Sequence, residues 1–208
     1  MDQTSKEELW NTYSHVAGVV FGVFGLVYLL IQDTHQGEYS TLSIWVYGIS
    51  FILLFSVSSL YHAIKDIGLK TTFRKLDHIC IYFLIAGSYT PVCLIALIQG
   101  NGWLLFASVW GISALGLLLK LFYTGRFNFV SLLLYLVMGW LVVLDGKNVL
   151  EALNEQQLFW LLLGGFFYTF GAVFYALERI KYNHVIWHFF VLSGAISHYF
   201  MILSIVRG

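Results

Sequence analysis

Residues 184–206 read HVIWHFFVLSGAISHYFMILSIV, and from Val185 onward the run holds no Asp, Glu, Lys or Arg. A hydrocarbon core about 30 Å thick is crossed by roughly 20 apolar residues in a helix, within a range of about 17 to 25. A water-soluble helix would carry a polar stripe of period 3.6, whereas this segment is apolar on most sides and so belongs in lipid or inside protein. Six more segments, near 14–31, 42–64, 76–98, 103–119, 127–144 and 158–177, behave alike. Helices fit these lengths and barrel strands do not. The expected fold is therefore all-α: one seven-helix transmembrane domain over residues 1–208, with a short interfacial helix at 5–13 leading into the first span.

Composition agrees. The chain is 59% hydrophobic and 11% charged, with a mean hydropathy of +0.79, too few polar residues to cover a water-facing surface. Zero formal net charge gives no nucleic-acid footprint, so only the placement of charge informs. Cys80 and Cys93 share one segment at a separation of roughly 20 Å along a helix, too far to bridge. The N-terminus lacks a basic run and no small-residue cleavage site follows the first apolar segment, so the first span is expected to stay in place.

Of eleven Lys and Arg residues, Lys6, Lys65, Lys70, Arg74, Lys75, Lys120, Arg126, Arg179 and Lys181 fall on one side of the alternating loops, while Lys147 and Arg207 fall on the other. The positive-inside rule then places the N-terminus in the cytoplasm and the C-terminus outside. Ahead of span one, Ser5 and Glu8 have capping-box spacing, and Leu9, Trp10 and Tyr13 give the short helix an apolar side. Gly18, Gly22 and Gly25 lie on one side of span one, a pattern that permits close helix approach but also arises by chance.

An ionisable side chain inside a span costs at least about 2.5 kcal/mol on insertion scales, so such residues usually face the protein interior and serve function. Here they gather. His62 ends span two, Asp77 and His78 open span three, and His184 and His188 open span seven, all within roughly two helical turns of one membrane boundary. At i and i+4, His184 and His188 share a helix face and can hold one metal ion. In a soluble chain such a pair is usually incidental; membrane depth argues otherwise. Ser58, four residues before His62, projects from the same face one turn deeper. Three imidazoles with a fourth position left to water is the pattern of catalytic zinc, which lowers the pKa of water towards about 7.

Asp77 has three readings at this point: general base, direct ligand, or a residue that caps span three or pairs with Arg74 or Lys75. His78 points about 100° away from Asp77 and is excluded from the site. His198 lies about 15 Å deeper than His188 and is expected to be a buried, hydrogen-bonded histidine. His15, at the start of span one, is placed to support a ligand and not to be one, and His35 sits in the opposite loop. Pro91, the only proline, frees the Gly87 carbonyl and should kink span three within AGSYTP. There Ser88, Tyr89 and Thr90 either line a cavity or compensate the broken backbone bond.

Taken together, EELWNTYSH at 7–15, SSLYH at 58–62, RKLDH at 74–78, AGSYTP at 86–91 and HVIWH at 184–188 resemble the haemolysin III family, bacterial relatives of the progestin and adipoQ receptors (PAQR). The resemblance covers almost the whole chain in motif order and spacing. It implies a zinc site built from Ser58, His62, Asp77, His184 and His188, and kinship with membrane hydrolases that include the alkaline ceramidases. The implied activity is zinc-dependent cleavage of an amide or ester bond of a membrane lipid at the cytoplasmic leaflet of a bacterial plasma membrane. Zinc would hold His62, His184 and His188, with Asp77 as base and Ser58 positioning water. A non-catalytic lipid sensor or membrane-homeostasis factor with structural zinc is the second reading. A pore-forming haemolysin ranks last, because a pore needs polar lining throughout the membrane and the ionisable cluster occupies one end.

Cysteines introduced near Arg74 and Lys181 are expected to react with an impermeant maleimide only from the cytoplasm, and one near Gln156 only from outside. Labelling of all three from the same side would overturn the alternation.

Overall fold

Lipid cannot hydrogen-bond a peptide group, so each apolar segment satisfies its backbone internally as a helix. The computed structural model describes residues 3–123, 128–177 and 179–208; Arg126 of the charge count and Phe127 of the expected fifth span lie outside them. Helix α1 covers Ser5–Ile31, α2 Ser40–Ala63, α3 Ile67–Pro91 with a π-helical continuation Val92–Ala96, and α4 Gly102–Tyr123. After these come α5 Asn128–Trp140, a 3₁₀ turn Leu141–Asp145, α6 Gly146–Ala152, α7 Glu155–Ala176 and α8 Asn183–Arg207. The described residues contain no strand, and seven helical stretches are long and apolar enough to cross a membrane. This is a multi-pass membrane protein.

Sequence neighbours pack side by side, α1 on α2, α2 on α3, α3 on α4 and α7 on α8, and α8 closes the ring against α1. Helix α3 takes the interior, touching α2, α4, α5 and α8. Its buried side chains Cys80, Tyr82, Leu84 and Ala86 join Phe51 and Phe55 of α2 and Ile202 of α8 in one core.

Two boundaries differ from the hydropathy reading, whereas the segment 5–13 leads straight into the first span as the opening turns of α1. Helix α3 starts at Ile67 and not near 76, because Asp66 caps it by accepting a hydrogen bond from the Leu69 N–H at 2.8 Å. Asp77 is thereby an internal, buried residue of α3, and the reading of it as a span cap fails. The fifth span runs to Ala152 through its 3₁₀ turn, where Asp145 accepts from Asn101 at 2.8 Å and Asn148 at 2.7 Å.

The capping box of α1 is also displaced by one residue. Thr4 and not Ser5 is the N-cap, and its partner is Glu7 and not Glu8: the Thr4 hydroxyl accepts from the Glu7 N–H, and the Glu7 carboxylate accepts from the Thr4 N–H at 2.7 Å. Glu8 is released for other work. At the opposite end of the bundle, Asp33 accepts from the hydroxyls of Ser40 and Thr41, each at 2.6 Å, and from the His35 N–H at 2.9 Å. Burial pushes this carboxyl up, but the hydroxyl and amide donors outweigh it and hold Asp33 below its ordinary value. That tie is present above the ordinary carboxylate range and is lost as pH falls through the lowered value.

Pro91 deforms α3 as expected. The chain after it widens into the π-helical turn closed by the Leu97 N–H and the Val92 carbonyl at 2.9 Å. Ser88 and Thr90 spend their hydroxyls on the Ile85 and Ala86 carbonyls of their own helix. Tyr89 reaches across to the break in the fifth span, donating to the Gly139 carbonyl at 2.8 Å and accepting from the Val142 N–H at 3.0 Å. The two irregular turns therefore brace each other.

The glycines of span one are interfacial: a methyl group on Gly18 would collide with the Phe55 ring, on Gly22 with Phe51, and on Gly25 with Tyr199. Helix α4 offers an internal control, since a methyl on Gly116 meets the buried Tyr82 ring while one on Gly111 meets nothing. Overpacking of this kind costs about 1–3 kcal/mol. Gly116→Ala is expected to lower the thermal midpoint of the detergent-solubilised protein, and Gly111→Ala to leave it unchanged or raise it slightly. Equal effects would show that the α3–α4 contact is not tight.

Candidate metal centre

His62 lies in the last turn of α2, and His184 and His188 in the first two turns of α8. Ring nitrogens from the three lie within 4.8 Å of one another. Ring centroids are 5.3 Å apart for His62 and His184, 4.8 Å for His62 and His188, and 4.7 Å for His184 and His188. In each imidazole one buried nitrogen has no hydrogen-bond partner: Nε2 of His62, Nε2 of His184 and Nδ1 of His188. Orphaned polar atoms are costly in a membrane interior. Three of them on converging imidazoles fit a divalent transition ion, for which imidazole is a preferred ligand.

The other nitrogen of His62 shows how the site is held. Nδ1 lies 2.6 Å from the Glu8 carboxylate, which requires a shared proton and leaves Nε2 with its lone pair towards the cluster. Glu8 also accepts from Lys70 at 2.8 Å. Lys70 in turn donates to the Tyr61 and Ile64 carbonyls at 3.2 and 3.4 Å, satisfying the C-terminal end of α2 beside His62. Next along α1, the Glu7 carboxylate accepts from the Tyr182 N–H at 3.3 Å. Tyr182 is left-handed, with φ of 61°, and immediately precedes α8. Adjacent carboxylates of α1 therefore pin both segments that present the histidines.

His15 stacks on His188 with centroids 3.8 Å apart and planes 22° from parallel, walling the cluster without joining it. Ser58 and Asp77 are buried, and the Ser58 hydroxyl faces the Asp77 carboxylate without a hydrogen bond of ordinary geometry. His15, Ser58, Asp77, His184 and His188 form one end of a cavity of about 330 Å³ whose remaining walls are largely apolar. His198 lines its far part, away from the cluster, edge-on to Tyr168 at 5.4 Å. The expectation of a hydrogen-bonded His198 is not met: its ring stands near the Leu161 carbonyl with no bond of ordinary geometry, and packing on Gly164 fixes it instead. His78 stays outside the cluster; its carbonyl accepts from the Tyr135 hydroxyl at 2.9 Å. Glu8 is the residue that sequence reading missed.

A family model described as "Haemolysin-III related" matches residues 3–199. The chain belongs to the haemolysin III family. Among its relatives, "Hemolysin-3" of Bacillus cereus is 39% identical over 207 residues, covering 99% of this chain and 94% of the relative. The "Hemolysin-3 homolog" of Bacillus subtilis (strain 168) is 37% identical, covering 96% and 94%. The human "Monocyte to macrophage differentiation factor" is 30% identical, covering 96% of this chain and 84% of its own length, which ties this haemolysin III family member to the wider PAQR superfamily.

For this haemolysin III family chain, elemental analysis is expected to find one divalent metal ion per protein. His184→Ala and His188→Ala should lose it, while His198→Ala should keep it. Glu8→Ala should weaken metal affinity by about 10- to 100-fold, the usual effect of removing a carboxylate that orients a histidine ligand. Competition with a chromophoric chelator measures this, and an unchanged affinity would make Glu8 a mere surface partner of Lys70.

Proposed function

We propose that this protein is a zinc-dependent hydrolase that cleaves an amide or ester bond of a membrane lipid, acting at the cytoplasmic leaflet of a bacterial plasma membrane. The observation that carries this reading is the polar end of the cavity: His184 and His188 of the three-histidine cluster, a buried carboxylate and an unpartnered hydroxyl line an apolar space of about 330 Å³ inside a membrane bundle. Among metals that favour imidazole, zinc fits a hydrolytic role: it would be held by His62, His184 and His188, and it supplies Lewis acidity without redox chemistry.

The chain's own residues supply the rest. The apolar walls accept an acyl chain and exclude bulk water, bringing the bond to be cleaved to the polar end. Asp77, internal to α3 and without an ion pair among the described residues, is the group available to take a proton from the attacking water. Ser58 opposes it and orients that water by hydrogen bonding. Glu8 fixes His62 in the tautomer that turns Nε2 inward.

One observation favours the second reading, a lipid sensor with a structural ion. Helices α2 and α8 meet only slightly, each packing mainly on other neighbours, so a shared ion would tie them together. The name of the Bacillus relatives suggests haemolysis, but the mostly apolar cavity lining here does not suit an aqueous pore.

Incubating zinc-loaded protein with a membrane-lipid extract and detecting released fatty acids by mass spectrometry separates enzyme from sensor. Asp77→Asn is expected to retain zinc and reduce hydrolysis by about 10² to 10⁴, the usual worth of a positioned general base. Loss of zinc together with activity would make Asp77 a ligand. Unchanged rates at full zinc occupancy would remove it from the chemistry.

A further inference from the structure

A second pocket, of about 660 Å³, opens beside the histidine cluster at the Lys- and Arg-rich end of the bundle. Its walls carry Lys70 and Arg74 of α3 and Arg179 and Lys181 of the α7–α8 connection, facing Glu7 and Glu8 of α1. Both carboxylates are engaged: Glu8 by His62 and Lys70, Glu7 by Thr4 and the Tyr182 N–H. Arg74, Arg179 and Lys181 form no ion pair among the described residues. Charge that serves only to orient spans need not converge, and Lys6, Lys65 and Lys75 on the same side do not line this pocket. These four cations, drawn from two separate segments, do.

His78, Tyr175 and His184 belong to the walls of both the polar pocket and the apolar cavity. The two spaces meet at the metal centre, and together they have the shape and polarity of an amphiphile. Guanidinium forks match phosphate oxygens bidentately, and a lysine adds a point charge. We propose that the polar pocket seats the phosphate-bearing headgroup of an anionic lipid whose chain enters the apolar cavity. This deepens the hydrolase reading by naming its substrate class, an anionic amphiphile with the bond to be cleaved at the junction.

The test uses the full chain in neutral detergent, with binding read by native mass spectrometry. The probes are 1-oleoyl lysophosphatidic acid, the uncharged 1-oleoylglycerol with the same chain, and inorganic phosphate. The phosphate lipid is expected to bind roughly tenfold or more tightly than the neutral one, in keeping with several basic residues acting on one anionic group. The preference should shrink with added salt. An Arg74→Gln, Arg179→Gln double variant should reduce it to about twofold while leaving oleoylglycerol binding unchanged, which also shows that the variant is folded. The Arg74→Lys, Arg179→Lys pair should keep most of it, and does so independently if the glutamine pair fails to fold. Equal affinity for the two lipids overturns the proposal, as does a preference that survives removal of both arginines. Inorganic phosphate displacing the lipid at comparable concentration would make this a free-anion site and overturn the headgroup assignment. None of these outcomes alters metal content or cleavage of a neutral lipid, so failure here is distinct from failure of the hydrolase reading.

Discussion

Hydrocarbon supplies no hydrogen-bond partners, and nearly every feature of this protein answers to that constraint. Regular helix satisfies it over most of the chain. At Pro91 it cannot, and the chain passes from α-helix into a π turn, while the neighbouring Tyr89 hydroxyl satisfies backbone groups at the 3₁₀ break of the fifth span. Against that background the orphaned nitrogens of His62, His184 and His188 stand out because, unlike unpaired hydroxyls such as those of Ser43 and Ser113, they sit on three imidazoles that converge in one place.

The spans were legible in the sequence because lipid exposure leaves apolar residues on all sides of a helix, a signal that does not depend on tertiary contacts. Helix ends were less so. Residues 67–75, with their lysines, arginine and threonines, are helical although too polar to read as a span, since hydropathy reports immersion in lipid and not backbone conformation. The break at Leu141–Asp145 lies between Gly139 and the Asp145–Gly146 pair, and hydropathy does not report the tyrosine of another helix that hydrogen-bonds to it.

Of the candidate site, the histidines were legible from i, i+4 spacing and shared depth. Glu8 was not. Thr4 with Glu7 and Ser5 with Glu8 both offer the spacing of a capping box, and only the folded chain shows which is used. The choice matters chemically: had Glu8 closed the cap, its carboxylate would have been spent on a backbone amide in place of an imidazole 54 residues away.

The arrangement of α1 connects these points. Glu8, Asn11, His15, Gly18, Gly22 and Gly25 recur at alternating intervals of three and four and form the inward stripe of one helix. Its lower half is glycine, which lets α1 approach Phe55 and Phe51 of α2 and Tyr199 of α8 without a side chain between. Its upper half is polar and ends at His62 and His188. Because a helix is stiff along its axis, the depth and rotation fixed by the glycine contacts in the membrane are carried about one turn beyond Gly18 to His15 and about three turns beyond it to Glu8. The small residues thus do more than permit packing. They determine where a carboxylate and an imidazole arrive beside the histidine cluster, so that the geometry of a polar site at one end of the bundle is set by apolar contacts well inside it.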